Sequence, residues 1–244
     1  MAEAEISARG SLPLDARLSQ LLIREIIAGH YPPGAWIREQ EVAARLKVSR
    51  ASVREALRNV AYAGFVEIQP WRGAQVAMIS RGELLDIFSL LAETYAKCAY
   101  WAAERFPAEH LPRLRAYLAT AEKAVQGRHD PKEHFDASFA LGQLIGRNSG
   151  SRLAYRMLVQ VGNLALWQQS LLVPGSDHSY EQSLSAHRVL VSAIEAREAD
   201  IAESAARMIV MITRRSLEQG VVAADRSDKK PARKRTKAEK PIIV

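Results

Sequence analysis

The chain has 244 residues, 48% hydrophobic and 25% charged, with one cysteine, Cys98, enough for one large core or two smaller ones. No apolar run nears the roughly 18 residues of a membrane span, no signal peptide is apparent, and a lone cysteine excludes an intrachain disulfide and fits a reducing cytoplasm. The net charge of +7 is uneven: residues 1–80 carry ten Lys/Arg against eight Asp/Glu, residues 81–222 sixteen against sixteen, and residues 223–244 eight against three. The high pI is thus a property of the tail and not evidence for a DNA-binding fold.

Residues 1–11 lack apolar periodicity and read as a mobile leader. Leu14, Leu18, Leu21, Leu22 and Ile26 recur at helical spacing, with Gly29 as a stop. Tyr31-Pro32-Pro33-Gly34 cannot continue that helix, and Trp36-Ile37 reads as a short extended piece. Glu39–Leu46 predicts a short helix with Val42, Ala43 and Leu46 inward. Lys47-Val48-Ser49 turns the chain into another helix that runs to about Ala63. On it Arg50, Arg54 and Arg58 share one face and Val53, Leu57 and Val60 another. Ser49 or Ser52 can cap its start, and Ser52 with Glu55 has the form of a capping box. Phe65–Gln69 and Ala74–Met78 alternate like strands around a Pro70-Trp71-Arg72-Gly73 turn. Helix, helix, turn, helix, strand, turn, strand is the order of a winged helix-turn-helix.

From Ser80 the strand signals stop. Helices are expected from Ser80, with Glu83 completing a cap, to about Arg105; from Pro107 to near Gly127; from Asp130-Pro131 to about Arg147; and over Ser151–Leu172, Ser179–Ala196 and Ala199–Gln219. Short loops make these an antiparallel all-α bundle. The expected fold is mainly α: leader 1–11, winged helix-turn-helix 12–79, helical domain 80–222 and a basic disordered tail 223–244. That tail reads either as a solvated appendage or as an arm touching DNA phosphates.

Pro33-Gly34, Glu39–Leu46, Val48-Ser49-Arg50, Val53-Arg54-Glu55-Ala56-Leu57, Gly64 and Arg72-Gly73-Ala74 resemble the DNA-binding domain of the GntR family. Ala92-Glu93, Trp101-Ala102-Ala103, Asp136 with Phe139, His187, Ala193-Ile194 and Asp200 with Ala205 and Met208 resemble the ligand-binding FCD domain of its FadR subfamily. The resemblance implies a cytoplasmic homodimeric transcription regulator, expected to be a repressor, on an inverted-repeat operator under control of a small-molecule effector. It places DNA contact at Arg50, Ser52, Arg54 and the wing. Reach alone assigns Arg50 and Arg54 to base edges or phosphates, Ser49 and Ser52 to phosphates at the helix N-terminus, Gln40 to the backbone, and Arg72 and Gly73 to the minor groove or flanking phosphates. Ala51 stands where the family usually has threonine, which leaves base preference at that step open.

Many relatives of the helical domain hold a metal with one Asp and three His. Asp136 and His187 match two positions, but Ala140 and Met211 stand at the others, so no metal or other cofactor is expected. Leu91 stands where an anchoring arginine is common and Tyr95 where a Glu is usual. Asp136, Gln143, Asn163, Gln168 and His187, with Trp167, are the candidate effector residues by helical phase; for His187 the competing reading is a hydrogen-bonded core histidine. Two other functions compete: a non-specific architectural protein driven by the tail, and a metal enzyme using Asp136 and His187. No nucleophile–base–orienter set supports the second.

Overall fold

The computed structural model describes residues 13–126, 131–170 and 177–228. The expected leader, Asp130, the Val173–Ser176 loop and the tail beyond 228 lie outside them.

Helix α1 (Leu14–Ile27) buries Leu18, Leu21, Leu22 and Ile26. It ends where Gly29 takes φ +80°, a conformation that is cheap for a residue without Cβ. Strand β1 (Trp36–Ile37), helices α2 (Glu39–Leu46) and α3 (Arg50–Tyr62), and strands β2 (Val66–Gln69) and β3 (Gly73–Val76) follow. The strands form one antiparallel sheet in the order β1-β3-β2, with Ile37 and Ile68 both opposite Ala74. The extended Trp36-Ile37 piece is therefore the third strand of the wing sheet, a long-range pairing that local pattern does not specify. Leu18, Leu22, Ile26, Val53, Leu57, Val60 and Phe65 close the core of this unit. Arg45 of α2 donates two hydrogen bonds to Glu25 of α1, at 2.6 and 2.7 Å, so the one buried carboxylate of the unit is matched.

Behind the wing come α4 (Arg81–Arg105), a 3₁₀ turn (Ala108–His110), α5 (Leu111–Gln126), α6 (Pro131–Arg147), α7 (Arg152–Ser170), α8 (Asp177–Ala196) and α9 (Ala199–Asp228). Ser80 and Glu83 form the expected capping box at the start of α4. Helix α4 is the axis of the bundle, packed by α6, α7, α8 and α9. Its buried face is small-chained, with Ala92, Ala96, Ala99, Ala102 and Ala103, and Ala202, Ala205 and Ala206 of α9 are equally buried. Small residues on both sides let the two helices approach closely. Arg207 fixes their outer edge with two hydrogen bonds to Glu93, at 2.8 and 2.9 Å.

Two helix boundaries differ from expectation. Pro107 precedes a 3₁₀ turn rather than opening an α-helix; α5 starts at Leu111, with Pro112 in the first turn, where no N–H partner is required. Helix α9 passes Gln219 and runs to Asp228, into the stretch expected to be disordered. A single interior glycine, Gly220, costs only about 1 kcal/mol, and the Val-Val-Ala-Ala that follows contains no stop signal.

Candidate DNA-reading surface and effector core

Helix α3 is held from below. Val53, Ala56, Leu57 and Val60 are buried, which leaves its other face and its N-terminus outward. The N-cap is Ser49, whose Oγ accepts from the Ser52 N–H at 3.0 Å. The expected Ser52–Glu55 capping box is replaced by this arrangement, because Ser49 carries the extended backbone of a cap (φ −70°, ψ 147°) while Ser52 is already helical. Glu55 instead accepts from Arg58 at 2.6 Å, so Arg58 has an intramolecular partner. Ser52 Oγ lies 2.8 Å from Ser49 Oγ, and the pair presents hydroxyls at the positive end of the helix.

The three arginines are not equivalent. Arg50 is exposed and makes no hydrogen bond or ion pair among the described residues. Arg54 is clamped by Glu39 of α2, its Nε and Nη2 at 2.9 and 2.8 Å from the carboxylate. The Arg54 hydrogen bonds hold the Glu39 carboxyl below its usual range, with Arg54, Arg50 and Arg58 adding their fields. Gln40 is exposed in the first turn of α2, and Arg72 is exposed on the wing. Gly73 has φ +107°, and a Cβ there would stand 3.2 Å from the Ile37 carbonyl oxygen, so glycine is required both by backbone and by the approach of β1. The predicted DNA residues thus lie on α2, α3 and the wing turn.

The effector candidates separate. Asp136 is exposed and His187 is 1% exposed, so the two positions shared with metal-binding relatives occupy different environments; Met211 is exposed as well. Among the described residues no three His, Cys, Asp or Glu side chains gather as a metal-holding group. With alanine at 140, this donor set does not fit a one-Asp, three-His centre. Gln143 accepts from the Tyr155 hydroxyl at 2.9 Å and so faces α7. Asn163 is half-buried. Gln168 is buried, and its Nε2 has no partner among the described residues.

Residues missed from sequence complete the interior. His134 on α6 is buried with its ring centroid 6.1 Å from that of His187. His187 Nδ1 lies 2.7 Å from the Ser183 carbonyl; a carbonyl only accepts, so Nδ1 carries the proton and Nε2 keeps a lone pair. Burial pushes the His187 pKa down to about 4. His134 is hydrogen-bonded to the Ala121 backbone, burial lowers its pKa too, and its Nδ1 has no partner among the described residues. Ser138, one turn on, is orphaned in the same way, as is the Tyr95 hydroxyl of α4. That hydroxyl lies against Gly142, another turn along α6, where a Cβ would stand 3.7 Å from it. Burial raises the Tyr95 phenol pKa. The signal for His134 was present: it continues the Ala137–Leu141–Leu144 stripe, whose phase turns Asp136 outward.

Trp167 does not line the bundle interior. It is fully buried in the core of the winged unit, its ring 5.4 Å from that of Phe65. Leu164 of the same helix meets Gly64, and Gln160 donates to the Tyr62 carbonyl at 3.4 Å.

A winged helix-turn-helix with an exposed arginine at its recognition-helix N-terminus, seated on an all-α domain whose apolar core holds a few buried polar side chains, is the architecture of a DNA-binding regulator. Comparison with known proteins agrees. A family model for bacterial regulatory proteins of the gntR family matches residues 14–76, and one for the FCD domain matches residues 86–211. The chain belongs to the gntR family of bacterial regulatory proteins, among members with an FCD domain. It is 25% identical over 190 residues to a probable D-xylose utilization operon transcriptional repressor of Paenarthrobacter nicotinovorans, covering 78% of this chain and 82% of that one. It is 26% identical over 195 residues to the repressor RspR of Escherichia coli K12, covering 79% and 84%, and 24% identical over 222 residues to the galactonate operon repressor of the same strain, covering 82% and 95%. In fold it is similar to E. coli McbR/YncC, with a TM-score of 0.68 at 16% identity over 89% of this chain and 100% of that one. It is also similar to a GntR regulator of Rhodococcus sp. RHA1, with a TM-score of 0.61 at 20% identity over 86% and 98%. The chain is a DNA-binding transcription regulator and not an enzyme.

Proposed function

We propose that this regulator is a cytoplasmic homodimeric repressor that reads an inverted-repeat operator through Arg50, Ser52 and Arg54 and releases it in response to a neutral, polar small molecule. The observation that carries the DNA reading is Arg50: exposed at the first residue of a capped helix, its guanidinium remains available for a guanine edge or phosphate. Ser49 and Ser52 hydroxyls beside the helix N-terminus suit phosphate contact, with Gln40, Arg72 and Gly73 on the flanking backbone. A two-fold dimer presents two copies of α3 and therefore asks for an inverted repeat. The named repressors among its relatives support the sign of regulation.

The effector class follows from the interior. Tyr95, Ser138, His134 and His187 offer neutral donors and acceptors; among the described residues, the bundle holds no buried Lys, Arg, Asp or Glu. Unmatched buried polar atoms destabilise the folded bundle, and a hydroxyl- or amide-bearing metabolite would match them without bringing in a charge. Selection of bound sequences from random DNA tests the whole reading. Wild type should enrich an inverted repeat, and Arg50→Ala should lose discrimination at one base pair per half-site by about 10-fold or more with an unchanged circular dichroism spectrum. An R50A protein that selects the same sequence with the same preference would remove Arg50 from the reading role.

A further inference from the structure

The wing turn holds a residue that its backbone does not favour. Arg72 N–H donates to the Gln69 carbonyl at 3.2 Å, closing the four-residue turn Gln69-Pro70-Trp71-Arg72. Proline at the second position and a positive φ at the third, +65° at Trp71, give it the arrangement of a type II turn. The third position of such a turn calls for glycine or asparagine, since a Cβ in the left-handed region meets the following carbonyl. Here it carries the largest apolar side chain, and Trp71 is 105% exposed. The indole touches no core that could offset the strain, so folding alone gives no reason for tryptophan at this position. Strained, fully exposed positions of this kind mark contact sites.

The neighbours select the partner. The turn has no carboxylate: Gln69, Pro70, Trp71, Arg72 and Gly73 together carry one positive charge. Arg72 is exposed beside the indole, and Gly73 allows close approach of the backbone. An apolar plane next to a guanidinium is the chemistry of proteins that enter the minor groove, where arginine meets the enhanced negative potential of a narrow groove and an apolar wedge unstacks a base step. We propose that Trp71 is a DNA contact, wedging at a base step beside each half-site while Arg72 occupies the groove. It would bring a preference for deformable pyrimidine–purine steps there, a form of shape readout separate from the base contacts of α3. This inference rests on the operator reading above.

The test is Trp71→Asn and Trp71→Gly, both compatible with the left-handed backbone, beside Trp71→Phe. The Asn and Gly proteins should melt at or above the wild-type temperature. They should bind the selected operator about 10-fold or more weakly, the size expected for losing aromatic contact with a base, and lose the preference for the flanking step. The acrylamide-quenchable fluorescence that W71F lacks should be protected when wild type binds operator. Wild-type affinity and step preference in W71N and W71G would overturn the wedge. So would weaker binding accompanied by a shift to monomer in sedimentation, which would assign Trp71 to a contact between protein copies. A wild type that selects no sequence would overturn both the wedge and the operator reading, whereas a selected operator that W71N binds equally well overturns the wedge alone.

Discussion

Mild acid should destabilise the protein through His187, and the size of the effect can be worked from its surroundings. The imidazole is fully buried, donates from Nδ1 to the Ser183 carbonyl, and has the His134 ring as its titratable neighbour. Burial holds its pKa at about 4, against about 6.5 in an unfolded chain. As pH falls the unfolded chain binds the proton first, so the stabilisation is intact above about pH 6.5 and is lost progressively toward pH 4. Those two pKa values give a loss of about 2 kcal/mol between pH 7 and pH 5, and about 3 kcal/mol by pH 4. His134, also lowered by burial, acts in the same direction. The control is His187→Asn, whose amide keeps a donor near the Ser183 carbonyl but does not titrate. It should lower stability by a roughly constant amount from the lost ring. Urea unfolding of both proteins at pH 7, 6 and 5 should give curves that converge as pH falls, the gap closing by about 2 kcal/mol. Carboxylate titration is common to both and cancels. A gap that stays the same within a few tenths of a kcal/mol would show that His187 is not buried as a neutral ring.

Three further outcomes follow from the same structure. Glu39→Gln should release Arg54 from its clamp, raising affinity for random DNA and steepening its salt dependence while the ratio of specific to non-specific binding falls; identical salt slopes for the two proteins would mean that Glu39 does not restrain Arg54. Tyr95→Phe removes a buried hydroxyl that lacks a partner among the described residues, so its unfolding free energy should hold or rise, by about 1–3 kcal/mol at most. The stabilisation given by the neutral metabolite that most raises the wild-type melting temperature should then drop; an undiminished shift places that ligand away from Tyr95. Trp167→Ala empties the contact with Phe65 and should cost about 3–5 kcal/mol, whereas Trp167→Phe should keep most of the stability but weaken the ligand's effect on operator binding. Full ligand response in W167F, read by fluorescence anisotropy on labelled operator, would exclude Trp167 from the coupling.

The DNA-reading end was legible in sequence because its determinants are local. Gly29, Gly64 and Gly73 sit where the chain needs a positive φ, Ser49 precedes a helix it can cap, and the Val53–Leu57–Val60 stripe fixes which way the arginines face. What spacing could not show were the partners: Glu39 on Arg54, Glu55 on Arg58 and β1 on β3 join residues whose pairing depends on side-chain choice or on chain closure. The effector end was less legible for a physical reason. Matching Asp136 to a metal position fixes α6 by one residue, while the Ala137–Leu141–Leu144 stripe fixes it by three, and the stripe puts His134 inward and Asp136 outward. Trp167 was misplaced for a related reason: helical phase gives the direction of a side chain but not which neighbouring unit lies in that direction.

Helix α7 is where these two ends meet. Trp167 and Gln168 are adjacent, and consecutive helical residues point about 100° apart. The first is locked into the winged unit's core against Phe65, while the second is buried with an unmatched amide. The same helix packs along α4, the element that carries Tyr95. A ligand that matches the orphaned donors can act on DNA only if it binds one placement of α7 more tightly than another, since equal affinity shifts nothing. Trp167 makes such a preference transmissible: a close-packed indole cannot absorb a displacement of α7 in empty space, so Phe65 and the β2 strand that follows it must move as well. Because Phe65 stands between α3 and the wing, a shift there changes the angle between the recognition helix and the wing turn within one subunit. In a dimer it also changes the spacing of two recognition helices, which an inverted repeat tolerates poorly.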